Sequence, residues 1–185
     1  CFDAETGDLK SSDYLSDYSL WATETAVAAD GTVYGDFFTG DASSYELGIA
    51  DYANNTRSTI GSLHNYYVAL GITKDNVLYG ISTYGDLYRI DTKTAKESLV
   101  GSTGVKLMLS DGSWNVQSGE IDQASDIFYW ACTDHTGASA LYTVDLTSGA
   151  ATKVGDIVNN EQLALLSIPK ETVADAAPGM TADLA

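Results

Sequence analysis

Apolar and polar residues alternate along most of the chain in short runs, each bounded by Asp, Asn, Gly, Ser or Thr. Alternation of period two is the mark of half-buried strands, and the polar clusters between runs are turn signals. The stretch LYRIDTKTAKESLVG (residues 87–101) is written again as LYTVDLTSGAATKVG (residues 141–155), with Leu87 over Leu141, Tyr88 over Tyr142, Asp91 over Asp145 and Gly101 over Gly155. The same places are taken by Leu47, Ala50, Asp51 and Gly61, and at the start of the chain by Phe2 and Asp3. Each copy predicts two strands joined by a tight turn. The Asp opens the turn by bonding the backbone that follows it, and Gly7, Asn55 and Gly149 suit a left-handed position within it. Ala95 occupies that position in the third copy, and a different turn is expected there.

Upstream of the three later hairpins lies a second two-strand pattern. Tyr34, Tyr79 and Tyr129 align, each following a polar turn: Asp30-Gly31, Lys74-Asp75-Asn76 and Gln123 to Asp126. The unit is therefore a four-strand meander, A to D. The Tyr spacings are 45 and 50 residues and the Asp spacings 48, 40 and 54. No stretch shows a helical period, so the fold class is all-β. A repeat of this length built from four short strands predicts a β-propeller, because one meander cannot bury both faces of its sheet and copies stacked around an axis can. The expected blades are residues 21–63, 64–110 and 114–157. Strands C and D of a partial blade are expected within residues 1–20, and a final strand A at residues 161–169. The strand B that would complete this shared blade is missing, which predicts a propeller fragment or the rear part of a larger propeller; a closed four-bladed ring is the alternative.

The strands ADGTVYG and DNVLYG, each followed by a hairpin of the LYRIDTKT or LYTVDLTSG kind, resemble the degenerate repeats of β-propellers in secreted or surface-anchored gut-bacterial proteins. The tail, residues 170–185, resembles a linker leading from such a propeller into fibronectin type III-like modules. The resemblance implies an extracellular, cell-surface or periplasmic location and a binding or scaffold role with a glycan or protein ligand.

Composition narrows the partners. The 185 residues carry a net charge of −17, which disfavours nucleic acid and anionic lipid surfaces because their phosphates repel it. No run is long and apolar enough for a membrane-spanning helix, so no membrane insertion is expected. The acidity itself reads as solubility: no stretch matches the spacing of a calcium loop, and neither a metal nor another cofactor is expected. Cys1 and Cys132 have no metal-ligand spacing. Cys132 lies in a strand and reads as a buried inert thiol, whereas Cys1 reads as a fragment boundary, with a lipidated terminus as the alternative.

No catalytic constellation emerges. Asp134, His135 and Ser139 share one stretch, yet no Gly-x-Ser-x-Gly elbow accompanies them. The remaining hint is aromatic. The connections from strand D to the next strand A should emerge on the same side of the disk as the B–C loops, and they contain Trp21, Tyr66 and Trp114, with His64 beside Tyr66. Flat rings with polar edges stack on sugars or grip peptides, so these four residues are the candidate ligand contacts. Packing between blades is the competing reading for the tryptophans. The function expected is a non-catalytic binding or scaffold module. The alternative is the propeller part of a secreted carbohydrate-active or peptidase-linked enzyme whose catalytic residues lie outside this chain.

Overall fold

The computed structural model describes residues 6, 8–9, 21–39 and 44–168. The expected partial blade of residues 1–20, apart from positions 6, 8 and 9, falls outside the described residues. So do Cys1, residue 169 and the linker of residues 170–185.

Among the described residues twelve strands form three sheets. The first contains β1 (Ala22–Val27), β2 (Val33–Phe38), β3 (Tyr45–Asp51) and β4 (Thr56–Leu63). The second contains β5 (Tyr67–Ile72), β6 (Leu78–Ser82), β7 (Asp86–Ile90) and β8 (Glu97–Ser102). The third contains β9 (Ser118–Asp122), β10 (Ile127–Thr133), β11 (Ser139–Val144) and β12 (Ala151–Asp156), followed by a 3-10 turn at Val158–Asn160. Each sheet is an antiparallel meander in sequence order, and β1, β5 and β9 pack side by side as the innermost strands. The fold is that of a β-propeller with three whole blades.

Local chemistry repeats with the architecture. Every A–B turn places a left-handed residue just before strand B: Gly31, Asn76 and Asp126. Every C–D turn is held by its Asp. Asp91 accepts from the amides of Lys93 and Thr94, and Asp145 from those of Thr147 and Ser148. Ala95 does not depart from the pattern. Its φ of 57° matches the 51° of Asn55, and its amide donates to Asp91 O just as that of Gly149 donates to Asp145 O. The left-handed region costs an alanine about 1–2 kcal/mol. Burial of the methyl group against β4 of the preceding blade, where Gly61 leaves room, offsets that cost.

One irregularity recurs in all three blades. The pairing of strands C and D skips a residue at Ile60, Val100 and Val154, a bulge at the same place in each outermost strand. Beside it, Gly101 and Gly149 bring the backbones of blades two and three into contact. A Cβ at Gly101 would lie 2.1 Å from Ser148 O, and one at Gly149 2.6 Å from Gly101 O.

The core consists of the two seams between blades. Between blades one and two lie Ala26, Leu47, Tyr67, Leu70, Ile72 and Leu78, with Tyr34 and Tyr88 at the margins. Between blades two and three lie Ile81, Leu87, Ile121, Phe128, Trp130 and Cys132. At one end of the axis the Gln123 amide donates to the carbonyls of Val27 and Ile72, tying the third blade to the ends of β1 and β5. Residues 161–168 form no strand ladder. They run beside β9, with the Leu166 amide donating to Ser118 Oγ and that of Ile168 to Glu120 Oε2. Side chains, not a neighbouring backbone, hold this segment.

Candidate functional site

The end of β2, the start of β3 and the connections between blades meet at one end of the disk. Phe38 ends β2 and Tyr45 begins β3; Tyr66 and Trp114 lie in the connections leading into β5 and β9. The four rings form a continuous run. Centroid separations are 5.2 Å for Phe38–Tyr45, 5.8 Å for Phe38–Tyr66, 4.9 Å for Tyr45–Tyr66 and 4.7 Å for Tyr66–Trp114. Tilted and edge-on rings at these distances attract beyond their area of burial. Phe38 is exposed and the other three are half-buried, with Tyr66 and Trp114 resting on the second seam.

The candidates from sequence divide accordingly. Tyr66 and Trp114 are brought together. Trp21 stands just before β1 with about half of its surface, 52 %, exposed. His64 faces solvent, its side chain 92 % exposed, and is held by Glu97. That carboxylate, at the start of β8, accepts five hydrogen bonds: from the His64 amide (2.7 Å), His64 Nδ1 (2.9 Å), the Asn65 amide (3.1 Å), Asn65 Nδ2 (2.9 Å) and the Tyr67 hydroxyl (2.6 Å). Burial alone would push the Glu97 carboxyl above its ordinary range, but the donors, Tyr67 first, outweigh it and hold the group below that range. The Glu97 contacts position the connection that carries Tyr66.

Two acidic residues were not singled out from sequence. Glu24 on β1 and Asp36 on β2 are directly opposed in the antiparallel register. Counted from the aligned tyrosines, the corresponding pairs are Ala69 with Ile81 and Ser118 with Ala131. The acid pair therefore replaces a largely apolar one. Asp36 is fully buried. Its Oδ2 accepts the Tyr67 amide at 3.0 Å, while Oδ1 has no hydrogen-bond partner. Burial, opposed by the Tyr67 amide, raises the Asp36 carboxyl to about 7. Burial and the neighbouring Asp36 raise Glu24 to about 9. Burial first, then Asp36 and Glu24, push the Tyr66 hydroxyl up to about 12. The signal available in the sequence was an Asp at a repeat position where the sister blades carry Ile and Ala.

Glu24 also lines a cavity of about 230 Å³ between β1, β9 and residues 164–167. Its wall includes Thr23, Thr25, Ser118, Glu120 and Ser167, with Leu165 as an apolar part. Among the described residues, no group of three or more His, Cys, Asp and Glu side chains is arranged to hold a metal. The Asp134–His135–Ser139 stretch does not assemble as a triad: His135 Nδ1 lies 3.2 Å from Lys106 O, and Ser139 Oγ pairs with Thr133 Oγ1 at 2.7 Å. Cys132 is buried, its thiol pushed up to about 12 by burial first and by Asp134 second. Trp130 is fully buried with its Nε1 donating to Gln117. Among the described residues no helix is long and apolar enough to cross a membrane.

No protein-family model and no curated protein matches the chain. Solved structures do. A protein of unknown function from Bacteroides thetaiotaomicron aligns with a TM-score of 0.55 and 17 % identity over 70 % of this chain and 32 % of its own. A chain of a nidogen/laminin complex aligns with a TM-score of 0.55 and 11 % identity over 75 % of this chain and 49 % of its own. The chain thus spans about a third and about half of these neighbours. At such identities the likeness is one of fold, and the fold is propeller-type.

Proposed function

We propose that this chain is a non-catalytic ligand-binding or scaffold part of a propeller in an extracellular, cell-surface or periplasmic protein. Its ligand, a glycan or a protein, meets the end of the disk where the connections between blades gather. The observation that carries this reading is the run Phe38–Tyr45–Tyr66–Trp114. Four rings from three separate segments of chain sit in contact, partly open to solvent, on strand ends and connections held by a rigid repeat frame. Aromatic area of this kind supplies affinity with little ordering cost, and loops set on a rigid frame are where binding residues concentrate. The resemblance to propellers of secreted gut-bacterial proteins supports the location, and a fold neighbour taken from a protein–protein complex agrees with a binding role.

The test is a glycan array and a peptide array probed with the wild-type chain and with Trp114→Ala. Binding by the wild type, lost or cut at least about tenfold in the variant, is the expected result. Binding that Trp114→Ala and Tyr66→Ala both leave intact would place the ligand elsewhere and end this reading.

A further inference from the structure

Resting on that binding reading, we infer that Glu24 and Asp36 form a proton-operated latch, which sets whether the ring run is continuous across the first seam and so regulates binding there. The run is divided between blades. Phe38 and Tyr45 belong to blade one, whereas Tyr66 leads into blade two, so the contacts Phe38–Tyr66 and Tyr45–Tyr66 cross the seam. Asp36 crosses it at the same place. It precedes Phe38 by two residues on β2, and its Oδ2 accepts the amide of Tyr67, the residue after Tyr66, at 3.0 Å. The acid thus ties the backbone on one side of the run to the backbone on the other. The tie is confined to this seam, since the corresponding pairs in the sister blades are Ala69 with Ile81 and Ser118 with Ala131.

The chemistry follows from what surrounds the pair. Asp36 is fully buried, and its Oδ1 has no hydrogen-bond partner. An oxygen so enclosed is out of reach of a ligand but not of a proton, and a carboxylate missing this much solvation is neutralised rather than left charged. The described titratable groups facing the pair are Tyr45 on β3, Tyr66, Tyr67 on β5 and Glu97 on β8, with Tyr52 and Glu120 on the wall of the cavity that Glu24 lines. None of these is a cation, and Arg57 on β4 is engaged by Glu46. Burial, ahead of the opposing Tyr67 amide, raises Asp36, and burial followed by Asp36 raises Glu24. Glu97 is held low and stays ionised at neutral pH. When Asp36 loses its proton, like charges therefore stand on both sides of the seam, Asp36 on blade one and Glu97 on blade two. Glu24, directly opposite Asp36, adds a third when it ionises. The seam loosens, Phe38 and Tyr45 part from Tyr66, and the stacking face is interrupted. The run is continuous in mildly acidic solution and broken in alkaline solution.

The experiment is a pH titration of the whole chain, without ligand, followed by near-ultraviolet circular dichroism well below the melting temperature. Far-ultraviolet spectra check that the sheets persist. The ring signal should change in a transition centred between about pH 6 and 9, where carboxyls raised by burial ionise. Glu24→Gln with Asp36→Asn should abolish the transition. Asp36→Asn alone, which keeps an acceptor for the Tyr67 amide, should remove most of it, and thermal melts check that both variants fold. Tyr45→Leu, which deletes the closer of the two ring contacts across the seam, should reduce its amplitude. A wild-type spectrum that stays flat, a transition that survives the double variant, or an amplitude unchanged by Tyr45→Leu overturns the inference. So does a transition that disappears in His64→Gln, which would assign it to the imidazole on Glu97. No ligand enters this titration, so its failure leaves the array result standing, and failure of the arrays leaves the titration to be read on its own.

Discussion

The two seams between blades are built on the same backbone frame and share an apolar filling, but they differ at one repeat position. Between blades two and three, Ile81, Leu87, Ile121, Phe128 and Trp130 make an apolar joint, sealed at its rim by the contact of Gly101 with Gly149. Between blades one and two, the place of Ile81 is taken by Asp36, and the buried Tyr67 directs its amide to that acid and its hydroxyl to Glu97. The second seam carries Ile81 where the first carries Asp36, and backbone hydrogen bonds cross its edge from the Ala151 amide to Thr103 O and from the His135 amide to Lys106 O. Acids in the first seam lower its stability, since desolvated carboxylates cost free energy unless fully paired, and Asp36 is paired at only one oxygen.

Four changes would break or sharpen that contrast. The largest effect belongs to the apolar seam. Trp130→Ala empties a fully buried ring site and strands Gln117, and should cost about 3–5 kcal/mol in urea unfolding. A cost under about 1 kcal/mol would mean that the seam does not carry the fold. Next is Glu97→Ala, which leaves the buried Tyr67 hydroxyl and the His64–Asn65 connection without their acceptor. A loss of roughly 2–3 kcal/mol is expected, together with altered near-ultraviolet circular dichroism from the ring run.

Third is the acid pair and its dependence on pH. Asp36 and Glu24 have folded values raised to about 7 and about 9 from ordinary values of 3.8 and 4.5. The folded chain therefore binds more protons than the unfolded one between about pH 4 and 9. Stability from the pair is full below pH 4 and falls as pH rises through that window. Glu97, held low, acts in the opposite direction, and its contribution is lost only as the solution becomes acidic. Tyr45, Tyr66 and Tyr67, which also face the acids, are raised and stay neutral across the window. Melting temperature should thus decline from pH 5 to pH 8. Asp36→Asn with Glu24→Gln should flatten the decline and raise the melting point at pH 8 by about 2–4 °C, as about 1 kcal/mol does for a chain of this size. A double variant with the wild-type slope would show that the pair does not titrate as a buried unit. The smallest effect is that of Ala95→Gly. Relief of the left-handed backbone opposes loss of the buried methyl, and the net should stay within about 1 kcal/mol.

Much of the frame was legible because it repeats. The aligned Tyr34, Tyr79 and Tyr129 marked strand B, and the Asp of each C–D turn marked the hairpins. Ala95 misled because propensity alone disfavours its backbone; the methyl packing that compensates depends on a residue in another blade. The site was half legible. Searching only the connections between blades found Tyr66 and Trp114 and missed Phe38 and Tyr45, which end β2 and begin β3 at the same end of the disk. Glu24 and Asp36 looked like ordinary polar strand positions. Only the cross-strand register shows that they oppose each other, and only comparison with Ile81 and Ala131 shows that Asp36 lies on a buried face.

The bulge at Ile60, Val100 and Val154 also bears on how the chain behaves among copies of itself. β4, β8 and β12 are the outermost strands of their sheets and expose Leu99 and Val154. An outer strand of this kind is a template onto which another molecule can add a strand, the first step towards a fibril. A residue skipped at the same point of every outer strand interrupts the even spacing of amide and carbonyl groups that such growth requires. The irregularity thus makes each blade a poor seed for polymerisation, a protection that does not depend on the charge of the surface and so persists at high ionic strength.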